Sequence, residues 1–145
     1  MRLTTFTDYC LRVLIYVGMK DGEVVTIDEI SQRYGISRNH VMKVVLRLSQ
    51  HDYLTTARGK GGGMWLARKP EEINIGTLVR QMEEDLALVE CFQPGNCACI
   101  IEPACMLRKA LHEALESFFA VLDGYTLANF LEPKSKLARL LSLTA

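Results

Sequence analysis

The chain has 145 residues, 49% of them apolar, and a formal net charge of zero. That length and composition suit one sizeable core, or a small domain with an oligomerisation element, and exclude a disordered chain. No run approaches the ~20 apolar residues of a membrane span. The opening MRLTTFTDYCLRVL, charged at Arg2, Asp8 and Arg12, lacks a signal-peptide pattern, so a cytoplasmic protein is expected.

The neutral total hides an asymmetry. Residues 1–69 hold 11 Lys/Arg against 6 Asp/Glu, and residues 70–145 hold 6 against 11. Within 33–69 the balance is 8 basic residues to one acidic, Asp52. An anionic partner is expected for the first half.

Apolar spacing at Leu11, Leu14, Ile15 and Val17 predicts a first helix over 6–20, ended by Asp21-Gly22. Thr26 and Glu29 form a capping-box pattern ahead of a short second helix that Gly35 closes. Ser37 caps a third helix, whose buried stripe is Val41, Val44, Val45 and Leu48. Two helices joined by the tight turn Tyr34-Gly35-Ile36 are a helix-turn-helix pattern. Two strand-like runs, YLTTA and MWLAR, then flank RGKGGG at 58–63, a hairpin tip carrying Arg58 and Lys60. A bare flexible loop is the alternative, but the flanking strands and charges fit a wing better. The fold class is therefore mainly α, a winged helix-turn-helix.

A fourth helix is predicted over 73–86, and a long one of ~19 residues, ~28 Å, from Met106. Its Leu107, Leu111, Ala114, Phe118, Val121 and Tyr125 recur at spacings of four and three, with Leu115, Phe119 and Leu122 beside them. Such a stripe fits a homodimer seam or an intramolecular core helix; the small core available favours the seam. Thr126 caps a further short helix, TLANFL. Three regions follow: 1–86 for DNA binding, 87–105 as a cysteine loop, and 106–145 for dimerisation.

A recognition helix presents its N-terminal residues to the major groove, and here that end reads Ser37, Arg38, Asn39 and His40, with Lys43 a turn later. Arginine suits guanine and asparagine suits adenine. Arg58 and Lys60 would reach the backbone or minor groove, and the wing glycines, Gly61 and Gly62 among them, let the backbone approach closely. Thr26 and, more weakly, Arg12 complete the candidate contacts. Each residue alone reads as an ordinary solvated polar position; together they line up on the elements that should face DNA.

Four of the five cysteines lie in CFQPGNCACIIEPAC: Cys91, Cys97, Cys99 and Cys105. The spacing C-x5-C-x-C-x5-C departs from the short knuckles of structural zinc sites. Three thiolates plus an outside donor are expected, with an iron–sulfur cluster ahead of a thiol–disulfide switch and zinc. Cys10 reads as a small core residue. No catalytic arrangement involves His40, His51 or His112, so no enzyme is expected.

The opening MRLTTFTDYCLRVL, the SRNHVMKVV helix, the RGKGGG wing, the cysteine segment followed by ML, and LDGYTLANFLE together resemble the nitric-oxide-sensitive repressors. These belong to the winged-helix iron–sulfur regulators, the group that includes IscR. The resemblance spans nearly the whole chain. It implies a homodimeric repressor on palindromic double-stranded promoter DNA, with a cluster, [4Fe–4S] ahead of [2Fe–2S], whose nitrosylation releases the DNA. Its N-x-C-x-I-x-P-x-C pattern places ligands at Cys99 and Cys105, with Cys91 the third and Cys97 a possible substitute for Cys99. IscR-like members, which regulate cluster assembly, use a histidine just after the third cysteine, where this chain has Leu107. The nitric-oxide-sensitive members recruit an acidic residue from the partner's first helix, matched here by Asp8.

Overall fold

The computed structural model describes residues 2–93, 95 and 98–143. Seven α-helices and one two-stranded hairpin follow in the order α1 (Thr5–Met19), α2 (Ile27–Tyr34), α3 (Arg38–Gln50), β1 (Leu54–Ala57), β2 (Gly63–Leu66), α4 (Ile75–Met82), α5 (Met106–Asp123), α6 (Leu127–Phe130) and α7 (Lys134–Leu140). Short 3₁₀ turns lie at Pro70–Glu72, Glu90–Phe92 and Glu102–Ala104.

Helix α1 is the central element. It buries Cys10, Val13, Leu14, Tyr16 and Val17, and packs on α3, α4, α6, α7 and β2. The caps expected from the sequence are present. The Thr26 hydroxyl accepts from Glu29 N–H at 3.2 Å, Gly35 closes α2 at φ 64°, and Ser37 Oγ accepts from His40 N–H at 3.3 Å. The inward face of α3 is the expected set of Val41, Val44, Val45 and Leu48.

Strands β1 and β2 pair antiparallel from Leu54 with Leu66 to Ala57 with Gly63. Val25 and Met64 exchange two further backbone bonds of 2.9 and 2.7 Å, tying the base of the wing to the segment entering α2. At the tip, Gly59 and Gly61 have φ of 95° and 80°, where an L side chain would be strained.

Helix α4 is shorter than the sequence suggests. Asn74 Oδ1 caps it by accepting from Thr77 N–H at 2.9 Å, so Ile73 lies outside the helix. It stops at Met82 because Glu83, Glu84 and Asp85 would place negative charge at the negative end of its dipole. Glu83 instead accepts from the backbone N–H of Thr4 at 2.7 Å, ahead of α1. Helix α7 adds to the elements that the sequence pattern predicts. Its Leu137 and the following Leu141 join the core, and Pro133 stands at its start.

Helix α5 divides its apolar residues between two ridges. Phe119 is buried, with Leu115 and Leu122 packed beside it, and the Arg80 guanidinium of α4 lies 4.2 Å from the Phe119 ring. Arg80 also pairs with Asp123 through bonds of 2.6 and 2.9 Å, which hold the Asp123 carboxyl below its ordinary range. The longer stripe is only partly covered: Phe118 packs against the core, whereas Leu107 is 66% exposed, Val121 61% and Tyr125, just beyond the helix, 44%.

The contact between α4 and α5 rests on Gly76, where any Cβ would meet the carboxylate and backbone of Asp123. Gly76→Val is therefore expected to cost about 2 kcal/mol. That corresponds to roughly 6 °C in a calorimetric Tm, from forced separation of the two helices.

Candidate nucleic-acid interface and cysteine loop

With Val41, Val44, Val45 and Leu48 facing inward, the opposite side of α3 presents Asn39, Lys43, Leu46 and Gln50. Ser37, Arg38, Asn39, His40 and Lys43 are all exposed. His40 Nδ1 lies 3.1 Å from Ser37 Oγ, and its ring stands near that of Tyr9 on α1. Arg38 is ion-paired with Asp28 of α2, which partly neutralises it and fixes its direction. Arg58 and Lys60 are exposed on the wing. Between wing and α3 lies a groove of about 620 Å³ whose lining includes Thr26, Arg58 and Gly62.

The basic excess of 33–69 does not all face outward. Arg47 donates to the Gln81 carbonyl at 3.2 Å. Arg68 donates to the carbonyls of His51 and Asp52 at 2.7 and 2.8 Å and stacks 4.8 Å from the Tyr53 ring. Both hold the scaffold together. Lys43, Arg58 and Lys60 make no ion pair among the described residues, so they are the charges available to phosphate. Thr26 is exposed, but its hydroxyl is occupied in the α2 cap. Arg12 is paired with Asp8 at 2.7 Å, both side chains nearly half exposed.

In the cysteine segment, Cys91 is half-buried in the turn Glu90–Phe92, and Cys99 is exposed. Cys105 caps α5, where its Sγ accepts from Arg108 N–H at 3.4 Å. Cys97 and Asn96 lie outside the described residues. The described cysteines are free thiols, and among the described residues no three His, Cys, Asp or Glu side chains converge as a metal site. Three soft sulfur donors on irregular chain nevertheless fit an iron–sulfur group in kind. Cys10 is fully buried in α1, and burial pushes its thiol up to about 12, so it belongs to the core.

The family model for Rrf2, described as an iron-dependent transcriptional regulator, matches residues 3–133. The chain belongs to the Rrf2 family. Among its relatives in that family, the HTH-type transcriptional regulator NsrR of Bacillus subtilis (strain 168) is 46% identical over 144 residues, covering 99% of each chain. The regulator of the same name from Geobacillus kaustophilus (strain HTA426) is 49% identical over 142 residues, covering 97% of each. Of solved Rrf2-like folds, T. potens IscR superposes with a TM-score of 0.73 at 23% identity, over 91% of this chain and 87% of that one. CymR, the global cysteine regulator of B. subtilis, gives 0.73 at 25% identity over 90% and 95%. These likenesses agree with the winged helix read from the sequence. With its Rrf2 relatives named as transcriptional regulators, the chain is a transcriptional regulator and not an enzyme. Among the described residues no helix is long and apolar enough to cross a membrane.

Proposed function

We propose that this regulator is a homodimeric, nitric-oxide-responsive repressor that binds palindromic promoter DNA through α3 and the wing. Cys91, Cys99 and Cys105 would hold a [4Fe–4S] cluster, with Asp8 of a second subunit as fourth donor. The observation that carries this reading is the placement of Cys105. It ends the cysteine loop and caps α5, the helix whose exposed Leu107 and Val121, with Tyr125 just beyond its end, suit a second copy.

A bound cluster supplies iron, to which nitric oxide can coordinate. The chain's own residues supply the connection to DNA. A displacement at Cys105 is carried along α5, a rigid rod of about 27 Å, to Asp123 and its pair Arg80. Arg80 lies on α4 beside Gln81, whose carbonyl accepts from Arg47 of α3 and whose side chain accepts from the Tyr53 hydroxyl at 2.6 Å. Helix α3 is thus joined to the cysteine loop by two helices and two polar contacts, with Tyr53 just beyond α3 adding a third. Asp8 would have to leave Arg12 to face a second subunit, and an exposed i,i+4 pair resists this by only about 0.3–0.5 kcal/mol.

Protein purified under strict anoxia should contain iron and sulfide and absorb in the visible. A colourless, iron-free protein that still binds DNA tightly would overturn the cluster and leave a thiol–disulfide regulator in its place.

A further inference from the structure

The outward side of the recognition helix is not uniformly polar. Leu46 is 61% exposed and Met42 48%, on a helix that buries four other apolar residues fully or nearly so. Leu46 stands in line with Asn39 and Lys43, opposite the buried stripe, while Met42 leans toward the wing. Both line the groove between α3 and the hairpin, with Thr56 and Arg58 on its other wall. A partner for these two side chains must therefore also accept Lys43 and Arg58, two cations without an ion pair among the described residues. A polyanion with apolar groups on its recessed surface meets both demands. In the DNA major groove that apolar group is the C5-methyl of thymine, which side chains read by contact alone.

We propose that Leu46, supported by Met42, selects thymine by packing on its C5-methyl group. This rests on the reading of α3 as the DNA-recognition helix and adds a direct specificity element to it. The spacing sets where the thymine lies. Seven residues separate Asn39 from Leu46, about 10 Å along the helix. At roughly 3.4 Å per base-pair step this places the thymine about three steps from the base that Asn39 reads.

The test uses full-length protein and a duplex selected from a random-sequence pool. Each thymine is replaced in turn by deoxyuridine, which removes the methyl group and leaves every hydrogen-bonding atom. At one thymine per half-site, about three steps from the base whose preference Asn39→Ala erases, the replacement should lower affinity about fourfold, the worth of one buried methyl. Leu46→Ala should bind the thymine and uracil duplexes equally, with an unchanged salt slope because no phosphate contact is lost. Equal binding of all deoxyuridine duplexes by the unaltered protein would overturn the proposal, as would a Leu46→Ala protein that still prefers thymine. The exposed pair would then belong to a protein contact. Failure of the unaltered protein to select any sequence would instead sink the reading of α3 itself.

Discussion

Cys99→Ala is expected to strip the anaerobically purified protein of iron and sulfide, whereas Cys97→Ala keeps both. Each iron of a cluster needs a protein donor, and three thiolates already leave one position to an outside group. Losing a further thiolate should leave less than about a tenth of the bound iron of the unaltered protein. Cys99 and Cys105 bracket IIEPA, and the structure turns that segment through Glu102–Ala104 into the first turn of α5. Cys99 is exposed and belongs to no core, so its replacement should leave the far-UV circular dichroism intact and isolate the effect on the cluster. Iron loss in Cys97→Ala with retention in Cys99→Ala would transfer the role to Cys97.

A large effect is also expected from Lys43→Ala combined with Arg58→Ala. These cations lie on the recognition helix and the wing without ion pairs among the described residues, so phosphate is their natural partner. In a homodimer each substitution is made twice, removing four phosphate contacts. The slope of log K against log salt should become shallower by about 3.6. Affinity at 0.15 M salt should fall on the order of a thousandfold, for specific and random duplexes alike. Arg47→Ala makes the contrast. Arg47 serves the Gln81 carbonyl, so its loss should weaken the α3–α4 contact and leave the salt slope unchanged.

The DNA-reading half was legible because its signals are local. Thr26 with Glu29, Ser37 and Gly35 mark helix ends by the chemistry of capping, and the glycines of 59–63 mark a hairpin tip. Charge counting was less discriminating. It could not separate Arg47 and Arg68, which satisfy backbone carbonyls, from Lys43 and Arg58, because those carbonyls are brought near only by folding. Nor could periodicity tell which of two adjacent apolar ridges on α5 packs inward. Phe119 is chosen by Arg80 and the end of α4, 37 or more residues away in sequence. Helix α7 has no clear signature in the sequence because KSKLARL is short and carries only two leucines. In the cysteine segment the residue types were plain, but in the proposed reading the site is completed by a group from a second subunit, which no local pattern marks.

The central claim joins DNA affinity to nitric oxide through the cysteine loop, and one measurement bears on it most directly. Cluster-loaded protein, prepared without oxygen, is titrated against its selected palindromic duplex before and after a stoichiometric addition of nitric oxide. A coupling of ordinary strength between two sites should appear as at least about a tenfold loss of affinity. The same addition should leave Cys99→Ala unaffected. Unchanged affinity of the loaded protein, or an equal loss in Cys99→Ala, would contradict the account.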